Sequence, residues 1–317
     1  MTFVQKAFRN LHPLLQFIFI VCVSLTGMGV AVFFGSFISA WACGTGDSLT
    51  DLISAMGNLD SEKGICANLV LNSLNQTLAF GAAGLTYALL HGAAPGVGFS
   101  KSGNSKHLGK FLIAAVIITL GFSPFLDLTF RLNEWLLVEG STIHTMAAAL
   151  EAEAARITEA MLQIETLNQF IATLIAVAIF PAICEEWLFR GAIQPIFAKW
   201  SGNIHVGIWI SAILFSAIHF QFFGFLPRVL LGAGFGYMVV ASGSLWPAVL
   251  GHFINNGSAV FASWWLGPEW VAEGMNPAEG ALGISEAITA LMGASMIFGS
   301  VMWLKKSNST FQNLTKP

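Results

Sequence analysis

The sequence predicts an all-α polytopic membrane protein with about eight transmembrane helices. Hydrophobic residues make up 55% of the 317 residues, and charged residues make up only 10%, against roughly 25% in a typical soluble domain. The mean hydropathy is +0.71, and apolar runs long enough to cross a bilayer recur along the whole chain. This composition argues against a soluble enzyme, and a net charge of −3 argues against a nucleic-acid partner. We therefore expect the lipid bilayer to surround most of the chain.

The first two predicted spans are joined by an acidic loop. The first span follows Lys6 and Arg9 and is about twice as long as the apolar core of a signal peptide, so we expect it to be retained. Cys43 and Cys66 flank the loop and can pair if the loop faces an oxidising space, which the sequence leaves open. Four carboxamide side chains indicate that the second span packs inside the bundle rather than against lipid. They are Asn68, Asn72, Asn75 and Gln76.

An amphipathic segment separates the third and fourth predicted spans. From Thr145 to Thr166, apolar residues such as Met146 and Leu150 recur at intervals of three and four, which predicts a helix that lies on the membrane or lengthens the next span. We expect its apolar stripe to serve packing. The sixth span carries Gly232 and Gly236, which form a face of small residues for close helix contact. The predicted spans are 13–41, 66–91, 111–130, 167–190, 206–223, 229–241, 246–266 and 282–304.

The distribution of positive charge predicts that both termini are cytoplasmic. With that topology, ten of the 14 Lys and Arg residues fall on the cytoplasmic side. These ten are Lys6, Arg9, Lys101, Lys106, Lys110, Arg190, Lys199, Lys305, Lys306 and Lys316, and the exceptions are Lys63, Arg131, Arg156 and Arg228. The fourth span then ends at the cytoplasmic side. We divide the chain into helices with little candidate chemistry (1–166), a catalytic core (167–266), and an acidic loop, last span and cytoplasmic tail (267–317).

The fourth span ends in an acidic pair and an arginine, which is an expensive placement near hydrocarbon. An ionised group costs about 2.5–3.5 kcal/mol at the centre of a transmembrane helix, so this position needs a reason. Glu186 and Arg190 are four residues apart and can neutralise each other on one helix face. Glu185 points about 100° away and lacks that partner, which suits a general base. The alternative is an ion pair at the membrane interface, with Glu185 reaching water.

Two later spans carry histidines at membrane depth. His219 follows Phe215 by one turn, and His252 precedes Asn256 by one turn. Since unsatisfied polar groups cost several kcal/mol in hydrocarbon, we expect these groups to converge with Glu185 on one pocket inside the bundle. Glu185 can then take a proton from a water held by His219, and His252 and Asn256 can donate hydrogen bonds to the oxyanion. Glu185, His219 and His252 are also the ligand types of a catalytic zinc site, so the cofactor is one divalent metal or none.

These three motifs, Glu185-Glu186-xxx-Arg190, Phe215-xxx-His219 and His252-xxx-Asn256, resemble the signature of the CPBP (ABI) family. That family comprises the Rce1-type CAAX prenyl endopeptidases and their bacterial relatives, and the resemblance covers about residues 167–265. It implies an eight-helix intramembrane endopeptidase whose pocket opens towards the cytoplasm. It also implies the catalytic roles given above for Glu185, His219, His252 and Asn256, with Glu186, Arg190 and Phe215 as supporting residues. Both a metalloprotease and a metal-free mechanism with glutamate-activated water are compatible with it.

Two other functions stay open at this point. Cys184 can be read as a nucleophile with a histidine base, although the adjacent carboxylates disfavour its thiolate. A non-enzymatic membrane protein, such as a proton-coupled transporter, a scaffold or an immunity factor, can also use a Glu/His relay. The expected partner is a peptide or protein substrate at the membrane, membrane-associated or lipid-modified. The sequence indicates neither its identity nor an oligomeric state.

Overall fold

The computed structural model describes residues 2–92, 108–136, 140–267 and 284–307, and no strand occurs among them. Every predicted span corresponds to a described helix, so the all-α prediction is confirmed. In chain order the helices are α1 (Phe3–Asn10), α2 (Pro13–Cys43), α3 (Leu49–Gly57), α4 (62–90), α5 (Leu108–Leu136), α6 (Thr142–Met161), α7 (Leu167–Ser201), α8 (Ile204–Ala217), α9 (Phe225–Ser242), α10 (Trp246–Leu266) and α11 (Ile284–Ser307).

Several of these helices can cross a bilayer. Among the described residues, four helices are long and apolar enough to span a membrane, and two more apolar helices are shorter. The protein is therefore polytopic, while the count of eight spans stays a prediction. Some of the charged residues on which the predicted topology depends lie outside the described residues. They are Lys101, Lys106, Lys316 and the acidic residues Glu269, Glu273 and Glu279 of the loop before the last span.

A disulfide joins the first two long helices. Cys43 at the end of α2 is bonded to Cys66 in the first turns of α4, with 5.7 Å between the two Cα atoms. The pairing that the sequence left open is thus present in the structure. It closes the acidic loop and holds α2 against α4.

The helix that carries the acidic pair is longer than predicted. The prediction that this span ends at Arg190 is wrong, because α7 continues to Ser201 and is 35 residues long. Two π-helical segments, Leu174–Ile179 and Phe189–Ile193, lie within it. Arg190 is accommodated inside the helix because it bonds to Glu186 and to a carbonyl of α9. The acidic pair therefore lies near the middle of a membrane-spanning helix.

Contacts between helix ends define two ends of the bundle. At the N-terminal end, Lys199 Nζ donates to Arg9 O at 2.8 Å and Gln5 Nε2 donates to Leu89 O at 3.0 Å. The opposite end, which we call the disulfide end, contains the Cys43–Cys66 bond and the C-terminal end of α6. There Ser263 of α10 donates a hydrogen bond to Leu162 O.

Helix α6 packs with only part of the predicted apolar stripe. The segment forms a separate helix, as the amphipathic pattern indicated, and it does not lengthen α7. The expected packing role of the apolar stripe is wrong for Met146 and Leu150, which are 61% and 42% exposed. Glu151, which lies off the stripe, turns inward instead and accepts the backbone N–H of Phe223 at 3.2 Å.

Candidate active site

The centre of the site is a buried ion pair in α7. Arg190 Nη1 donates to Glu186 Oε1 at 2.9 Å, and both side chains are 0% exposed. Arg190 Nη2 also donates to Gly232 O of α9 at 2.9 Å. One turn further, Gln194 Nε2 donates to Gly236 O at 3.3 Å. The two glycines therefore give the close helix contact that the sequence predicted.

His252 of α10 links the two carboxylates. Its Nδ1 lies 3.0 Å from Glu186 Oε1, and we assign the proton to Nδ1 because an ionised carboxylate only accepts. Its Nε2 lies 3.8 Å from Glu185 Oε2, too far for a direct hydrogen bond. Glu186 thus fixes the orientation of the imidazole and presents the opposite ring nitrogen to Glu185.

Glu185 is held by a residue of α4. Gln76 Nε2 donates to Glu185 Oε1 at 2.8 Å, while Glu185 Oε2 has no hydrogen-bond partner among the described residues. The carboxylate is 6% exposed and has no cation at hydrogen-bond distance in the described part of the chain. It is therefore oriented by one neutral donor and keeps one oxygen for another ligand.

Two phenylalanine rings enclose these charges. The Arg190 guanidinium carbon lies 4.7 Å from the centre of the Phe215 ring and 5.8 Å from that of Phe235. Phe235 also stacks on the His252 ring at 6.0 Å, and Phe215 meets His252 edge to face at 5.7 Å. The rings stabilise the cation and restrict the imidazole. Phe215 and Phe235 therefore both pack against the charged groups of the site.

His219 lies in the turn after α8, on the disulfide side of the acidic pair. Its Nδ1 is 2.8 Å from Phe215 O, and its ring packs on Phe215 at 5.2 Å. It interacts electrostatically with Glu185 and His252, but it forms no ion pair with either carboxylate in the described part of the chain. The structure thus places His219 near the other groups without direct contact to Glu185.

The loop that carries His219 is fixed by three helices. Glu151 of α6 accepts from Phe223 N, Asn133 of α5 donates to Phe222 O, and Arg228 of α9 donates to both the side chain and the backbone oxygen of Gln221. Burial raises the pKa of the Glu151 carboxyl, against the opposing effects of the Phe223 N–H and Arg228. We refer to residues 218–224 as the His219 loop.

Asn256 has a partner that the sequence analysis did not assign. Its Nδ2 donates to Val177 O at 3.0 Å, and Asn72 Nδ2 of α4 donates to the neighbouring Ala176 O at 2.8 Å. Pro181 has no N–H to donate to the preceding turn. The carbonyl left unpaired is that of Val177, four residues earlier, in an α-helix, or that of Ala176, five residues earlier, in a π-helix. Two carboxamides from other helices thus replace the donor that Pro181 lacks, one turn before Glu185.

The predicted zinc ligands do not form a three-ligand site. No three His, Cys, Asp or Glu side chains among the described residues are arranged to hold one ion. Glu185 and His252 are neighbours, but Nδ1 of His252 is committed to Glu186 and His219 stands apart. The geometry therefore gives no support to the zinc alternative. Cys184 is buried, with its sulfur against Gly81.

An apolar groove lies beside the site. It has a volume of about 590 Å³ and lies between α5, α7 and α10. Its walls are Leu108, Leu112, Ile179, Ala182, Ile183, Trp246, Val249, Leu250 and Phe253. Ile183 and Phe253 directly adjoin the segments that carry the acidic pair and His252, so the groove is a neighbour of the charged centre.

Comparison with known proteins covers this part of the chain. Residues 167–258 match the model of the family described as type II CAAX prenyl endopeptidase Rce1-like. We refer to residues 167–258 as the Rce1-like segment because they match this family model. The match includes all three motifs, so the predicted family resemblance is confirmed there.

One curated protein is similar to part of this chain. The uncharacterized protein YpbD of Bacillus subtilis (strain 168) is 32% identical over 85 residues, which are 26% of this chain and 39% of YpbD. The chain thus spans about two fifths of the length of that relative. No solved structure matches.

Gln76, Asn72 and Phe235 contribute to the site and were not among the predicted site residues. The carboxamides of the second span were noted only as a sign of bundle packing. Their partners lie 109 and 104 residues further along the chain, and no local pattern indicates such a distance. The signal that could have located Asn72 is Pro181, because a proline inside an apolar helix always leaves a carbonyl to be satisfied.

Proposed function

We propose that this chain is an intramembrane endopeptidase in which Glu185 activates water. The observation that carries the proposal is the state of the Glu185 carboxylate. It is buried in a helix at membrane depth, oriented by Gln76 through one oxygen, and without a partner in the described structure at the other oxygen. A carboxylate that is oriented by a neutral donor, rather than paired with a cation, and keeps one oxygen without a partner suits a general base. The Rce1-like match supports the same reaction class.

The reaction uses four side chains of the Rce1-like segment. Glu185 takes a proton from a water positioned with His219, and the water oxygen bonds to the carbonyl carbon of the scissile peptide. The second amide N–H of Asn256 donates to the negative oxygen that forms, and His252 donates to it from Nε2 as the imidazolium while its Nδ1–H stays on Glu186. The C–N bond then breaks as the proton passes from Glu185 to the leaving amine. Glu186 and Arg190 hold the helix and the imidazole in place.

The substrate class follows from the surroundings of the site. A peptide bond reaches Glu185 only from within or beside the bilayer, and the neighbouring apolar groove suits a membrane-associated or lipid-modified chain. We propose a peptide or protein substrate at the membrane. The geometry of the site does not require this substrate to be prenylated.

Comparing the membrane proteome and peptidome of cells with the wild-type protein and with Glu185→Gln tests the proposal. Cleavage products should disappear in the variant, since loss of a general base costs about 10²–10⁴-fold in rate. Glu153→Gln, which alters an exposed carboxylate, is the matched control and should keep activity. Full activity in both Glu185→Gln and His219→Ala would refute this mechanism. A wild type without proteolysis would favour the non-enzymatic alternative.

A further inference from the structure

Phe220, the residue directly after His219, adopts a left-handed backbone conformation. Its φ is +53°, and no other non-glycine residue in the described part of the chain has a positive φ. A bulky side chain makes this conformation unfavourable, and it persists only where neighbouring groups hold it. The position of His219 therefore depends on the groups that hold the residues after it.

The base of the His219 loop is closed by contacts within the same stretch of chain. Ser216 Oγ donates to Phe225 O at 2.8 Å and joins the two ends of the loop. His219 Nδ1 lies 2.8 Å from Phe215 O, and we assign the proton to Nδ1 because a carbonyl only accepts. Nε2 is then the ring nitrogen left for water. These contacts fix the imidazole and the loop ends, and they leave the far part of the loop to other helices.

Glu151 of α6 accepts from the far part of the loop. Its Oε2 lies 3.2 Å from Phe223 N, and the N–H of Gly224 also stabilises the carboxylate. Gly224 is the residue before the first turn of α9 and has no side chain that could cap this helix. A carboxylate at the N-terminus of a helix is favourable. Glu151 therefore joins α6 to the point where the His219 loop enters α9.

The two other anchors of the loop have the opposite polarity. Asn133 donates to Phe222 O, and Arg228 donates to the backbone and side-chain oxygens of Gln221. Both side chains therefore hold oxygens of the loop. Among the described residues, Glu151 is the side chain that accepts from the backbone N–H groups of the loop. Its contribution is thus distinct from that of the two donors.

We infer that Glu151 is a positioning residue for His219, which holds the strained His219 loop in the conformation that places the imidazole beside the Glu185 site. This role rests on the proposed function for its effect on cleavage, whereas the hold on the loop can be measured without any substrate. Glu151 contributes no atom to the reaction. Losing it should therefore lower kcat and leave KM unchanged, because a displaced His219 weakens only the transition state for attack by water.

The mobility of a spin label on the loop tests the hold. In a chain with Cys22→Ser and Cys184→Ala that retains the disulfide, a nitroxide is attached at Phe222→Cys, a position that is 41% exposed. Glu151→Leu should increase the mobility of the label, whereas Glu151→Gln keeps an oxygen that accepts from Phe223 N and should not. Glu153→Leu removes an exposed carboxylate of the same helix and is the matched control. Equal mobility in Glu151→Leu and Glu153→Leu would overturn the inference.

Cleavage tests the consequence for catalysis. The substrate is a peptide whose cleavage is lost in Glu185→Gln. Glu151→Leu should lower kcat by about tenfold or more at unchanged KM, and Glu151→Gln should stay close to wild type. The unfolding transition of each variant is measured in parallel. Where Glu151→Leu does not fold, Glu151→Asp withdraws the carboxylate by one methylene and takes its place. An equal loss of kcat in Glu151→Gln, or a loss that appears in KM alone, would overturn the role.

A second substitution tests the connection with the strained residue. Phe220→Asn introduces a side chain that tolerates the left-handed conformation, so the loop then needs less support. Glu151→Leu with Phe220→Asn should recover part of the lost kcat and should reduce the mobility of the label. A double variant as slow and as mobile as Glu151→Leu would contradict the inference. If the wild type cleaves nothing but the label is still released in Glu151→Leu, the proposed function fails and the hold of Glu151 on the loop is supported.

Discussion

Two neighbouring carboxylates in α7 have opposite environments. Each has one oxygen with donors and one without in the described structure, so the number of hydrogen-bonded oxygens does not distinguish them. The two carboxylates differ in the groups that donate to them. Glu186 faces the guanidinium of Arg190 and the imidazole of His252, whereas Glu185 faces the neutral amide of Gln76.

The surroundings of the two residues differ in the same way. The Glu186 side is a closed layer in which Arg190 bonds to Gly232 and lies against Phe215 and Phe235. The Glu185 side faces His219 and a loop that reaches the surface. A buried charge that is paired with another charge cannot lose its partner without a large cost in stability, and a buried charge that is only oriented is available to react. Under the proposed mechanism, Glu186 therefore supports the fold and Glu185 performs the chemistry.

Breaking the Glu186 side should have the largest effect on stability. Arg190→Met removes the cation and leaves Glu186 buried without it, which typically costs 3–5 kcal/mol, so we expect a loss of about 4 kcal/mol of unfolding free energy. Unfolding of purified protein in detergent can be followed by exposure of the buried Cys184 thiol to a fluorogenic reagent. Glu185→Gln should change this transition little.

An exposed ion pair of similar chemistry provides the control. Arg156 and Glu153 are 2.9 Å apart, with side chains 52% and 57% exposed, so Arg156→Met should leave unfolding almost unchanged. The double variant Arg190→Met with Glu186→Leu should recover part of the loss, because it leaves no unpaired carboxylate. Equal transitions for Arg190→Met and Arg156→Met would mean that the buried pair does not hold the helix.

Altering the Glu185 side should affect cleavage more than folding. Gln76→Leu removes the donor that orients Glu185, and we expect cleavage of a substrate found in the proteome comparison to slow about tenfold, or 1.4 kcal/mol. Gln194→Leu is the matched control, since Gln194 is a buried carboxamide that bonds to Gly236 O in the closed layer. The control should destabilise the protein similarly without that specific loss of rate. If both variants lose the same activity, Gln76 has only a structural role.

The sequence was sufficient for what depends on local spacing. The spacing of Glu186 and Arg190 predicted their pairing, and the apolar runs predicted every described span. It was insufficient where a partner lies in a distant helix. The apolar run predicts that the span ends at Arg190, but Arg190 bonds to Gly232 O and lies against two rings, and α7 continues beyond it. In the same way, Asn256 was assigned to an oxyanion from its position after His252, and its bond to Val177 depends on Pro181.

The prediction with the smallest expected effect concerns Asn256. It distinguishes support of the α7 backbone from contact with the oxyanion. Asn256→Leu leaves Val177 O without a donor, which should cost about 1 kcal/mol of unfolding free energy. Adding Pro181→Ala restores a backbone N–H that can bond to Val177 or Ala176, so the double variant should regain stability. If Asn256 also contacts the oxyanion, as proposed, cleavage should stay slow in the double variant despite its restored unfolding transition. Recovery of both stability and cleavage would instead assign Asn256 wholly to the support of α7, and the oxyanion would then depend on His252. Asn72→Leu with Pro181→Ala is the parallel control, because Asn72 supports Ala176 of the same segment and has no proposed contact with substrate.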